Sequence, residues 1–210
     1  MKASFSDVAK NPTTRLITAA GVARHFSDAI IACFLPVFFL RSYPTDKATY
    51  GVLNALILTS CGFTSNLCAG LIGDRFETKY PMTKGWITSL SCLLAVPAIF
   101  MACAGHGNFY LSMASIAAYV MISGGYHSTA VTMIENSVSS QETGKMVSAW
   151  QMYTNMAQTF SPILFGAIGT LVSISTNATL YGPMIMGFVA AGYIPAGLLF
   201  YLGGKRYAKE

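Results

Sequence analysis

The sequence predicts an all-α integral membrane protein, a six-helix bundle arranged as two three-helix repeats. Three observations predict it. Charged residues are only 10% of the 210-residue chain, whereas a typical soluble domain carries roughly 25%. Hydrophobic residues make up 53% of it, and the mean hydropathy is +0.51. The apolar residues gather into six segments, near 15–41, 50–73, 82–104, 109–134, 146–173 and 183–203, each about the 20 residues that a helix needs to cross the hydrocarbon core. A soluble domain needs a charged skin; a bundle whose outside is lipid does not.

A polar stretch, residues 1–14, precedes the first segment and lacks the apolar core of a signal peptide. Lys2 and Lys10 with Ser4 and Ser6 faintly resemble a mitochondrial presequence, and Asp7 counts against one. The first segment holds Arg24, His25 and Asp28, placed so that Arg24 and His25 both reach Asp28 within one helical turn. The second carries Asn54 and Asn66 and two small-residue stripes, Gly62-Asn66-Gly70 and Ser65-Ala69-Gly73, which predict tight packing on a neighbouring helix. The third has no ionisable or amide side chain between Ile87 and Cys103. The fourth holds His127 after Gly124-Gly125, where the backbone is expected to kink or be closely approached. In the fifth, Gln151, Asn155 and Gln158 share one helical stripe. The sixth is again apolar, from Met184 to Leu202, and a basic tail, 204–210, follows. Pro36, Pro97, Pro162 and Pro195 lie inside segments, which membrane helices tolerate. The order polar, polar, apolar, repeated once, is what two three-helix repeats produce when every third helix faces lipid.

Lysine and arginine set the orientation. Ten of them, among them Lys10, Arg15, Arg75, Lys84, Lys145 and Lys205, fall on one side, and only Arg41 and Lys47 on the other. The positive-inside rule therefore places both termini in the cytosol or an equivalent compartment such as the matrix behind the mitochondrial inner membrane. Cys33, Cys61, Cys68, Cys92 and Cys103 lie in apolar runs, with no Cys-x-x-Cys pair and no His at ligand spacing, so neither a metal site nor a cofactor is expected. Asn177-Ala178-Thr179 is a glycosylation sequon in a loop too short to favour its use. Nothing in the chain suggests a nucleic-acid partner, and no catalytic motif such as His-Glu-x-x-His or Gly-x-Ser-x-Gly is present.

Two readings stay open for each polar group. Arg24 and Asp28 form either a self-neutralised pair or, with His25 as proton carrier, a cluster that handles substrate or protons. Gln151, Asn155 and Gln158 either bond between helices or line a solvated path.

After the second segment the chain reads Gly70-Leu-Ile-Gly-Asp74-Arg75-Phe-Glu77-Thr78-Lys79. This resembles the Gly-x-x-x-Asp-Arg-x-Gly-Arg-Arg/Lys loop signature of the major facilitator superfamily. Gly70, Asp74, Arg75 and Lys79 match, while Glu77 and Thr78 depart from the usual Gly and Arg. The resemblance covers the chain from Asn11-Pro12 onward, is to the C-terminal half of such a transporter, and is nearest to spinster-type lipid transporters. It implies that Asp74 and Arg75 tie neighbouring helices together at a gate, and that the first and fourth helices line a cavity, bringing Arg24, His25, Asp28 and His127 to the substrate path. A full transporter of this type has about twelve helices, so a protein partner is expected: a second six-helix half, a second copy, or the subunits of a larger membrane assembly in which the chain is an accessory scaffold.

Overall fold

A computed structural model describes residues 11–104, 107–172 and 178–209; the polar tail before Asn11, Asn177 of the sequon and Glu210 lie outside the described residues. The described chain is helical: α1 Pro12–Ser42, α2 Lys47–Glu77, α3 Thr83–Cys103, α4 Phe109–Ser123, α5 Tyr126–Asn136, α6 Thr143–Leu171 and α7 Tyr181–Tyr207, with a 3₁₀ turn Ala178–Leu180 before the last. The fourth span is thus two helices, α4 and α5, broken at Gly124-Gly125. Among the described residues five stretches, counting α4 with α5 as one, are long and apolar enough to cross a membrane. Helix α6 has the length, 29 residues, but its amide-bearing stripe lowers its hydropathy. The four prolines stay inside continuous helices. The protein is therefore an integral, multi-pass membrane protein in contact with the bilayer.

Helix α1 starts where Asn11 accepts hydrogen bonds from the N–H groups of Thr13 and Thr14, with Pro12 at the first helical position. It begins three residues before the predicted segment, and α7 continues through Lys205 and Arg206 to Tyr207. Those cations complement the carbonyl end of the helix.

The packing carries the predicted repeat. Helix α1 packs on α6 and α7; α4 and α5 pack on α2 and α3; and α3 packs on α7. Exchanging α1, α2, α3 for α4/α5, α6, α7 leaves that pattern unchanged, as two equivalent three-helix units require. The seams are made by small residues. A Cβ on Gly85 of α3 would lie 2.6 Å from the Cα of Gly204 in α7, and one on Gly192 of α7 would meet the Ala23 carbonyl of α1 at 2.6 Å. On α6, the Ser161 hydroxyl donates to the Phe26 carbonyl, and Phe165 stacks on Phe34 at 4.1 Å.

Of the two small-residue stripes of α2, Ser65-Ala69-Gly73 is buried. Ser65 donates to the Met121 carbonyl at 2.7 Å and accepts from the Gly125 N–H at 2.9 Å. A side chain on Gly125 would strike Ala69 and the Ser65 carbonyl, so both halves of the predicted kink have one cause: α2 crosses the α4–α5 break at backbone distance. The Gly62-Asn66-Gly70 stripe faces outward instead, and a Cβ on Gly70 would meet nothing within 4 Å. Asn66 satisfies its amide on its own helix, at the Gly62 carbonyl.

Candidate functional site

Arg24 is held at the centre of the bundle, 1% exposed. Its guanidinium donates to the Ser123 carbonyl at 2.8 Å, to Ser91 Oγ at 3.3 Å and to Cys92 Sγ at 3.1 Å. It lies over the Tyr126 ring at 3.5 Å from the centroid and near the Tyr193 ring at 4.9 Å. Asp28, one turn on, closes the ion pair at 3.5 Å. The Tyr193 hydroxyl donates to one Asp28 oxygen, and the Tyr126 hydroxyl to the other at 3.2 Å; Tyr119 and Tyr193 share a hydrogen bond at 2.9 Å. Both terminal guanidinium nitrogens are hydrogen-bonded, while Nε has only the ion-pair contact to Asp28; pairing of this kind is what low-dielectric burial of a charge demands.

The two charges differ in access. The Arg24 side chain is 1% exposed and that of Asp28 20%, and both border a cavity of about 340 Å³ between α1, α2 and α4. That cavity is lined mainly by apolar groups such as Ile31, Leu35, Leu58 and Ile116, with Asn54, Tyr119 and Tyr126 as further polar walls. Amid apolar lining with a few convergent polar groups, it has the character of a ligand site.

His25 lies behind the pair. Its Nδ1 is 3.0 Å from the Gly21 carbonyl. Because a carbonyl only accepts, Nδ1 carries the proton in the neutral ring and Nε2 is the acceptor. The Tyr126 hydroxyl is 3.3 Å from both ring nitrogens of His25 and donates to Asp28 Oδ2 at 3.2 Å, so one hydroxyl stands between the imidazole and the carboxylate. On the other flank Trp150, fully buried, sits edge-on to His25 at 5.6 Å and 5.1 Å from the exposed His127. Gly21 makes room for it, since a Cβ there would lie 2.6 Å from Trp150 Nε1.

Arg24, His25 and Asp28 thus come together in one cluster with Tyr126. His127 is set apart from the Asp28 cavity, 6.2 Å from the His25 ring. Gln151 and Asn155 bond to each other at 2.9 Å on the outer face of α6 and border a broad open groove with Met152 and Met156. Three tyrosines, Tyr119, Tyr126 and Tyr193, complete the cluster and carry no motif. The signal that marks them is a phenol in the middle of a span, where tyrosine is expected at the membrane interfaces instead.

The signature residues sit at the end of the bundle that also holds the start of α1 and the end of α7. Gly70 through Glu77 are helical, the last two turns of α2, and the connector is only 78–82. Asp74 is 75% exposed and approaches Lys84 at 3.6 Å. Arg75 and Lys79 are exposed and make no ion pair among the described residues. The strong ties run from Glu77, the departure from the signature. Glu77 meets the buried Lys84 of α3 at 2.7 Å and accepts from the Tyr207 hydroxyl, which itself accepts from Asn136 of α5 at 2.9 Å. One carboxylate therefore joins α2, α3, α5 and α7.

A membrane-embedded bundle of two equivalent three-helix units, with a buried charged cluster beside a cavity, defines a transporter-like membrane protein. The family model of the Major Facilitator Superfamily matches residues 17–209, and the chain belongs to that superfamily. A search of curated proteins returned no match. Members of this superfamily are transporters rather than enzymes, and a membrane transporter-like role follows.

Proposed function

We propose that this chain is one half of an alternating-access transporter for a small solute or lipid, working against a second six-helix half whichever chain supplies it. The observation that carries the reading is where the exposed polar side chains lie. Thr59, Ser60, Thr64 and Asn66 on α2, and Ser148, Asn155, Gln158 and Thr159 on α6, are exposed. Amides facing hydrocarbon are costly, whereas a water-lined path against a partner half accommodates them.

Within the half, Asp28 is the proton-accepting group at the cavity wall, and Tyr126 links it to His25. A proton on Asp28 cancels the counter-charge of Arg24 and turns into a hydroxyl one of the two oxygens to which Tyr126 and Tyr193 donate. The buried arginine is then uncompensated, and the cluster is driven to rearrange or to recruit an anionic group through the cavity. Arg24, His25, Asp28 and Tyr126 carry the coupling in this reading, Asn54 lines the path, and Gln151, Asn155 and His127 face the partner half. The Glu77 ties close one end, with Gly70, Asp74, Arg75 and Lys79 around them at the gate. Both termini then lie on the cytosolic side, or the matrix side if the membrane is a mitochondrial one.

Cysteine cross-linking in native membranes tests this. Asn155→Cys and Thr59→Cys should cross-link to a six-helix partner half, and Leu198→Cys on α7 should not. Cross-links confined to α7, or to unrelated subunits of a large assembly, would refute the pairing.

A further inference from the structure

A cleft of about 580 Å³ opens between the end of α2 and the start of α3. Ile72 and Phe76, one turn apart on α2, form one wall; Trp86 and Leu90, one turn apart on α3, form the other. These side chains are 43–47% exposed, and the α3 wall runs on into Leu93, Leu94 and Met101, also exposed and apolar. The cleft is therefore continuous with a surface that faces hydrocarbon, not with the polar faces of α2 and α6. At its mouth the chemistry changes. Tyr80 is 56% exposed, and Trp86 rests edge-on against Tyr201 at 5.3 Å. Trp and Tyr mark the headgroup level of a bilayer.

The charge at the mouth is unbalanced. Asp74 and Glu77, the acids nearby, both face Lys84, buried at 2% exposure. Lys79 borders the cleft and has no acidic partner among the described residues; its Nζ lies 5.5 Å from the Tyr80 ring. Ala208 forms the third side, bringing the neighbouring Lys209 to the same quarter.

We propose that this cleft binds one anionic phospholipid, its phosphate at Lys79 and Tyr80 and an acyl chain between Phe76 and Leu90. An apolar slot running into the bilayer, an aromatic rim and an uncompensated lysine bordering the slot match such a lipid in order of depth. A zwitterionic lipid fits the slot equally well, so the lysine supplies the discrimination.

Trp86 reports on its own site, because the other tryptophan, Trp150, is fully buried and out of reach of contact quenching. The protein is reconstituted in phosphatidylcholine vesicles containing either brominated phosphatidylglycerol or brominated phosphatidylcholine at the same mole fraction. The brominated phosphatidylglycerol should quench more strongly, and Trp86→Phe should remove that quenching. Lys79→Gln should lower the relative binding constant for the anionic lipid about fivefold, the worth of one lysine near the membrane surface. Lys47→Gln, at the opposite end of the bundle, should leave it unchanged. Equal quenching by the two lipids, a preference that survives Lys79→Gln, or one lost equally in Lys47→Gln would overturn the proposal. So would a copurifying protein that shields Trp86 from both lipids.

Discussion

Helices α3 and α7 on one flank and α2 and α6 on the other all present an outer face, but the faces differ in kind. From Trp86 to Met101 and from Pro183 to Leu202, every exposed residue of α3 and α7 is apolar or glycine, while α2 and α6 mix exposed Leu, Ile and Phe with Thr59, Thr64, Asn66, Asn155 and Gln158. Several of these hydroxyls are satisfied on their own helix: Thr59 donates to the Ala55 carbonyl, Thr64 to that of Ser60 and Thr159 to that of Asn155. This internal bonding lets a helix stand with a polar face unpartnered inside one half. The inner faces reverse the contrast. Helices α3 and α7, bare of charge in mid-span, supply Ser91, Cys92 and Tyr193 to the Arg24–Asp28 pair, so the flank that meets lipid also holds the buried charges in place.

The comparison breaks most sharply on water access. In a background with the five native cysteines replaced, Thr59→Cys and Asn155→Cys should label with a membrane-impermeant maleimide while Leu94→Cys and Leu198→Cys stay unlabelled. Equal labelling on both flanks would erase the distinction. Next in size, Arg24→Leu strands a carboxylate that is 20% exposed and should cost up to about 3 kcal/mol of stability, the low end for breaking a buried pair, read as a fall in the thermal midpoint of the solubilised protein. Arg24→Leu with Asp28→Leu should recover most of that. A single variant as stable as the parent would mean the pair carries no coupling.

On the lipid flank, Gly85→Ala forces the α3–α7 seam apart and should destabilise by about 1–3 kcal/mol; Gly166→Ala on α6, with open space around it, serves as the silent counterpart. The smallest effect belongs to the α2 crossing. Ser65→Ala removes two interhelical hydrogen bonds, each worth about 0.6 kcal/mol in membranes, and should shift the thermal midpoint slightly without altering the labelling pattern.

Much of the bundle is legible along the chain because each span had to be apolar and each break polar. The Gly124-Gly125 break, the six spans and the alternation of polar and apolar helices all follow from that constraint. What the segments do to one another is less visible. The two small-residue stripes of α2 look alike as strings, yet only Ser65-Ala69-Gly73 is buried against a neighbour, because helix rotation is set by packing. Tyr126 attracts no notice beside His127, yet its hydroxyl is the one that touches both His25 and Asp28.

The sequence by itself determined the solvent this protein lives in, its superfamily and the repeat within it, since hydropathy and local spacing carry that information. Only the tertiary structure decided that Asp28 is the more exposed partner at the cavity it shares with Arg24, and that Glu77 rather than Asp74 joins four helices at one end. Those outcomes depend on residues tens of positions apart meeting across helix seams, and a linear pattern holds no record of such distances.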